Sequence, residues 1–131
     1  MGLLFVAGCT ETLRFKVVDA SSGQPLSGVS TAWEEHAINM LTGKHHWTGP
    51  TNLPPSSEDG SVTIHGVHGW ANSLIFSHPG YVTLYGNYND SKLWLGEELD
   101  VITTNATLIK APVVEAQNTN GYYLIPMAKR Q

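Results

Sequence analysis

A single cysteine, Cys9, stands in this chain of 131 residues. It allows no internal disulfide and no thiolate metal cage. Basic residues are few as well: seven Lys and Arg against eleven Asp and Glu leave a net charge of −4, without a basic cluster. That excludes the electrostatic footprint of a nucleic-acid binder and a polybasic contact with anionic lipid. No apolar run approaches the roughly 20 residues of a membrane-spanning helix, so attachment to a membrane has to be covalent. No Gly-rich phosphate loop, nucleophile elbow or HExxH segment occurs, and no cofactor is expected. What remains is 41 % hydrophobic residues in a chain of ordinary single-domain size, enough for one core.

The N-terminus carries the clearest motif. Leu4-Phe5-Val6-Ala7-Gly8-Cys9 is a short apolar run that ends in small residues and then the cysteine. It resembles a bacterial lipobox, whose cysteine carries acyl chains. The resemblance implies that residues 1–9 are a truncated lipoprotein signal peptide ending at the lipobox cysteine, that the mature chain begins at Cys9 itself, and that residues 10–131 form its domain. Cys9 is then the lipidation point and the membrane a partner. Thr10, a non-acidic residue after the cysteine, is similar to what outer-membrane lipoproteins carry. The implied location is the bacterial cell envelope, at the outer membrane or periplasmic face rather than the cytoplasm. The alternative is an ordinary first strand with a buried thiol, since free cysteine packs as a small hydrophobe.

Beyond it, Leu13, Phe15 and Val17 alternate with Arg14, Lys16 and Val18, the period of a half-buried strand. Ala20 to Pro25 is a dense turn signal, after which Val29, Thr31 and Trp33 alternate with Ser30, Ala32 and Glu34 as a second strand. A helix competes over Ser30 to Gly43, with Thr31 as N-cap and Trp33, Ala37, Met40 and Leu41 on one face. Residues 42–60, rich in Gly, Pro and polar side chains, read as a long loop holding at most a short strand around His45 to Thr48. Further strands are expected over Ser61 to Val67, Asn72 to Ser77, Tyr81 to Tyr85, Leu99 to Ile109 and Tyr122 to Pro126, and Asn87 to Ser91 reads as a polar loop. Short strands separated by turn chemistry predict an all-β sandwich or barrel.

Val18-Asp19-Ala20-Ser21-Ser22-Gly23-Gln24-Pro25-Leu26-Ser27-Gly28-Val29 resembles the opening of carboxypeptidase regulatory-like domains. Asp59-Gly60-Ser61-Val62-Thr63-Ile64 and Phe76-Ser77-His78-Pro79-Gly80-Tyr81 resemble that family's later strand and its Gly-Tyr turn. The resemblance covers residues 12–109 and implies a transthyretin-like (prealbumin-like) Greek-key β-sandwich of about seven strands, a passive module rather than a catalyst. The residues themselves have structural uses. Gly28 and Gly60 sit where turns need positive φ, Pro25 presets a turn, and Tyr81 is expected to pack at a sandwich edge.

Two chemically active relatives of that fold fit poorly. Hydroxyisourate hydrolase resembles a tetramer with a Tyr-Arg-Gly-Ser terminus, whereas this chain ends Ile125-Pro126-Met127-Ala128-Lys129-Arg130-Gln131. Pilin and adhesin sandwiches crosslink a first-strand Lys to a late Asn, for which Lys16 and Asn105 are the nearest candidates. Lys16 is out of phase with Leu13, Phe15 and Val17, so its amine stays solvated, protonated and non-nucleophilic.

Two groups of side chains offer sites. Trp47, Trp70, Tyr88 and Trp94 lie in or beside predicted turns, where exposed rings would suit sugar or protein recognition; the competing expectation is burial, with Tyr81 and Tyr85 covering the core. His45, His46, His65 and His68, with Glu58 and Asp59 nearby, are the candidate metal ligands. Three or more must converge, and residues three apart on a strand face opposite sides, so His65 and His68 meet only if Gly66 and Gly69 bend the chain. Solvated turn histidines are the expectation, and no metal is assigned. The expected role is therefore a non-enzymatic envelope lipoprotein with a structural or protein-interaction function. A ligand-binding module, for carbohydrate in particular, is the alternative, and a metal-dependent enzyme built on the four histidines is the third reading. The envelope protein or glycan it meets is not named by the residues.

Overall fold

The computed structural model describes residues 10–38, 41–67, 71–89, 91–102, 108–110 and 114–131; side chains of 37–38, 98–102 and 108–110 are outside that description. The described residues are all-β. The strands are β1 Glu11–Asp19, β2 Ser30–Ile38, β3 His45–Asn52, β4 Ser61–Val67, β5 Ala71–Ser77, β6 Leu84–Asn89, β7 Lys92–Ile102, β8 Leu108–Lys110, β9 Val114–Glu115, β10 Asn118–Thr119 and β11 Tyr122–Met127. They form two sheets, ordered β10-β11-β1-β4 and β3-β2-β5-β6-β7-β8, with β9 also paired to β7. The architecture is the expected β-sandwich.

β1 forms because its alternation has a face to bury. Leu13, Phe15 and Val17 point into the core while Arg14 faces out. β1 lies between β11, which it pairs in parallel, and β4, which it pairs antiparallel, so its backbone is satisfied on both edges. From the smaller sheet Val62, Ile64, Val67, Ile125 and Met127 join it; from the larger come Leu74, Phe76, Leu84, Tyr88, Leu93 and Leu95. Phe15 meets Phe76 across the gap edge-to-face at 5.6 Å between centroids, a geometry that adds to plain area burial.

The β1–β2 turn is organised by one carboxylate. Asp19 Oδ1 accepts the backbone N–H of Ser21 and Ser22, both at 2.9 Å, and the Ser21 hydroxyl at 2.8 Å, an Asx-type turn. Its other oxygen accepts the Tyr81 hydroxyl at 2.7 Å and lies 3.7 Å from Lys129 Nζ. Tyr81 thus packs at the sandwich edge as expected, and its ring lies against the core. Buried Ser56 ties the next crossing down: its hydroxyl accepts from Val29 N at 2.9 Å and donates to Leu26 O at 2.7 Å.

Several expectations are corrected. Ser30 to Ile38 is a strand and not a helix, because β2 has β3 on one edge and β5 on the other; hydrogen bonds along both edges outweigh a loose 3.6-residue spacing, and Met40 lies outside the described residues. Leu41, expected on a helical face, is 97 % exposed between β2 and β3. Within 42–60 the short strand expected around His45 to Thr48 is present and longer, the eight-residue β3 of wholly exposed residues, extended by its pairing with β2. Asn87 to Asn89, expected in a polar loop, are the end of β6, with Asn89 opposite Lys92 on β7 and Ser91 at φ +62°. The strand expected from Leu99 begins at Lys92 instead and stops at Ile102. Strands therefore outnumber the seven expected, β8, β9 and β10 being two or three residues long.

Candidate functional site: the outer face of the larger sheet

Strand alternation and register decide which side chains share the solvent face of the larger sheet. In β5 and β6, Asn72, Leu74, Phe76, Leu84 and Tyr88 are buried, which turns Ser73, Ile75, Tyr85 and Asn87 to the opposite side. Cross-strand pairing then arranges that side in rows. One row runs Glu34, Ser73, Asn87, Trp94, each residue opposite the next on the neighbouring strand. The adjacent row runs Asn52, Ala32, Ile75, Tyr85, Gly96. Between β3, β2, β5 and β6 these rows border a groove of about 350 Å³, lined by Glu34, Pro50, Asn52, Ser73, Ile75 and Tyr85 among others. Trp47 is 51 % exposed, Trp94 38 % and Ile75 37 %.

At the β3 end, Trp47 stands opposite His36 with ring centroids 4.6 Å apart. His36 Nε2 lies 2.9 Å from His45 Nδ1, with the two rings nearly parallel and their centroids 5.0 Å apart. A centroid separation close to the N···N distance plus the two ring radii means the nitrogens face each other. The pair therefore shares one N–H···N hydrogen bond rather than aiming two lone pairs at a common third point.

The expected sites are partly assembled and partly dispersed. Trp47 and Trp94 do share the outer face. Tyr88 is removed from the candidate surface: it is 1 % exposed, in the core, with its hydroxyl donating to Glu11 Oε2. The reason is parity, since Tyr88 is in phase with Leu84 and Gly86 on β6. Burial, then the Glu11 contact, pushes its phenol well above the usual tyrosine range. Tyr85, for which covering the core is the competing expectation, stands on the outer face. Trp70, His68, Cys9 and Asn105 lie outside the described residues.

Of the candidate metal ligands, His45 pairs with His36 and not with His46, which sits opposite Ala37 on the next register position of β3. His65 is on β4 in the other sheet, with Nδ1 3.5 Å from Thr12 Oγ1. Gly66 does bend the chain there, at φ +75° beside a register shift. Among the described residues no three His, Cys, Asp or Glu side chains converge. Lys16 is half-buried on the outer face of the smaller sheet, 3.6 Å from Asp59 and over the Tyr122 ring at 5.2 Å. These groups border a second groove, of about 440 Å³. Its charges are already paired, and Asp59 also accepts from Ser57 and Ser61. Those two serines, more than Lys16, hold the Asp59 carboxyl well below its usual range.

Sequence reasoning missed His36, Glu34, Ser73 and Asn87, and weighed Tyr85 both as an exposed ring and as core cover. The signal for Tyr85 and Asn87 was available as their alternation with Leu84, Gly86 and Tyr88; His36 needed the register of β3.

No family model matches this chain, and no curated protein matches it. Among solved structures it is similar to the pilus 2b backbone protein of group B streptococcus, with 18 % identity and a TM-score of 0.49 over 92 % of this chain and 41 % of that one. It is also similar to the pilus adhesin of Streptococcus pneumoniae, with 17 % identity and a TM-score of 0.47 over 93 % of this chain and 15 % of that one. The chain thus spans less than half the length of either protein, and the likeness is one of chain path.

Proposed function

We propose that this chain is a non-enzymatic, lipid-anchored β-sandwich of the bacterial cell envelope, with a structural or partner-recognition role played through the outer face of its larger sheet. The observation that carries the recognition reading is the gathering of Trp47, Ile75 and Trp94, each more than a third exposed, on that one face. Anchoring is supported by the run Leu4 to Cys9, with the mature chain beginning at Cys9 and residues 10–131 forming its domain. Kinship with carboxypeptidase regulatory-like modules is supported by the turn-building work of Asp19, Gly60 and Tyr81.

Two measurements test the parts separately. Intact mass of the chain expressed in bacteria with its upstream sequence restored is expected to show a start at Cys9 with added acyl mass; an unmodified chain retaining Met1 removes the anchor. For recognition, the Cys9→Ser chain is sedimented with isolated bacterial envelopes. Retention is expected, and its loss is expected on combining Trp47→Glu with Trp94→Glu at unchanged melting temperature. A parent chain that stays in the supernatant ends the recognition reading.

A further inference from the structure

We infer that the outer face of the larger sheet is a binding platform for a linear, equatorially linked glycan laid across the strands, with Trp94 as the stacking ring and Asn87, Ser73 and Glu34 as hydrogen-bonding groups. The inference rests on the recognition reading above and is independent of the lipid anchor.

The register supplies the geometry. Glu34 pairs with Ser73, Ser73 with Asn87 and Asn87 with Trp94, so four side chains of one row stand on four consecutive strands. Strands repeat at about 4.8 Å, giving a row about 14 Å long. That repeat is close to the length of one pyranose unit, so successive sugars meet successive strands. Equatorial linkages keep such a chain flat and leave its axial C–H face free to lie on an indole.

The chemistry of the row favours a sugar over a protein. Protein interfaces are depleted in Ser and Glu and gather apolar residues at a continuous core. Here one carboxylate, one hydroxyl and one amide lie between the exposed apolar groups, and Ile75 and Trp94 are separated by β6. Among the described residues the side chains of Glu34, Ser73 and Asn87 are engaged in no hydrogen bond or ion pair. They are left to water or to hydroxyl groups, which both donate and accept. Both charges of the row are negative, Glu34 at one end and Glu115 of β9 opposite Trp94 at the other, which disfavours a polyanionic chain and suits a neutral one. Beside the row, the groove bordered by Tyr85 and Ile75 gives room for ring substituents. The groove on the smaller sheet lacks this character, because its Lys16 and Asp59 are bound to each other.

The test uses the full chain carrying Cys9→Ser with cellohexaose and chitohexaose as probes and maltohexaose, whose axial linkage curves the chain, as the control. Calorimetry is expected to give a dissociation constant on the order of 1 mM or tighter for at least one of the two flat probes and weaker binding of the control. Amide and indole NMR shifts are expected at Ser73, Asn87 and Trp94. Trp94→Ala is expected to weaken binding about tenfold or more, with Trp94→Phe retaining part of it; exposed Asn87→Ala, which leaves the core untouched, provides the second variant. Absence of heat and shifts with both flat probes at millimolar concentration overturns the proposal, as do shifts confined to the Lys16–Tyr122 groove. Protease treatment of the envelopes separates the two levels of inference. Retention that disappears after proteolysis points to a protein partner, overturning the glycan while leaving recognition standing; retention that survives supports the glycan.

Discussion

Asp19 shows how one residue can look like a site and be a structural anchor. It is 4 % exposed and ionisable, features that elsewhere mark function. Yet both oxygens are engaged within the fold, by Ser21, Ser22, Tyr81 and Lys129, which commits the carboxylate to structure. The Tyr81 hydroxyl first, then the Ser22 amide and the Ser21 hydroxyl, hold its carboxyl well below the usual carboxylate range, and the Tyr81 phenol is raised in return. A depressed folded-state pKa contributes stability that is fully present above the unfolded value, about 3.9, and is lost as pH falls through the folded one. Asp19→Asn is therefore expected to lower the melting temperature at pH 7 by several degrees and to flatten its decline below about pH 4. Thermal melts from pH 2 to 7 check both effects; a variant whose melting temperature falls as steeply as the parent's below pH 4 refutes the assignment. At the same scale, the Asp-to-Val motif at 19–29 was legible from residue types, because an Asx turn is made by short polar side chains acting on their own backbone. That Tyr81, 62 positions later, completes it was not legible.

At the scale of elements, β4 and β3 are instructive opposites. β4 announces itself by Asp59-Gly60 and by buried Val62 and Ile64. Gly60 has φ +80°, and a Cβ there would be driven into the Val17 carbonyl, the same strand whose Val17 N–H donates to Gly60 O at 2.9 Å. Gly60→Ala is expected to cost about 2–4 kcal/mol, combining left-handed strain with a backbone clash. Gly23→Ala, at φ +73° with nothing within 4 Å of its Cβ, is expected to cost only about 1–2 kcal/mol. Urea denaturation of the two variants checks the ordering; equal losses would mean that the approach to Val17 is unimportant. β3 carries no such signal. All eight of its residues are exposed, so no burial contrast is written into it, and Gly49-Pro50 reads as a turn. What makes it a strand is β2, to which Ile38, Ala37, His36 and Glu35 pair it in order. Gly49 is required at the register shift, since a Cβ there would sit 2.8 Å from the Trp33 carbonyl. The His36–His45 contact depends on that pairing, which spacing along the chain does not show.

At the scale of the whole molecule, the two sheets are held by rings that span the gap. Phe15 is fully buried and meets Phe76 from the larger sheet and Tyr123 from its own; Tyr88 in turn meets Tyr123 edge-to-face at 6.1 Å. Phe15→Ala is expected to destabilise the fold by about 3–5 kcal/mol, a large part of the 5–15 kcal/mol typical of a domain. Loss of the near-ultraviolet aromatic signal at a lower urea midpoint would show it, whereas an unchanged midpoint would mean that the sheets do not depend on this contact. The sequence by itself determined the all-β class, the inward faces of β1 and β4 and the turn at Asp19, because period-2 alternation and short-range turn chemistry are local properties of the chain. Only the tertiary structure decided that Tyr88 is core while Tyr85 and Trp94 face water, that β3 runs on to Asn52, and that Glu34, Ser73, Asn87 and Trp94 stand in one row. Those outcomes depend on cross-strand register, and register is set by which strands meet and how their buried faces mesh.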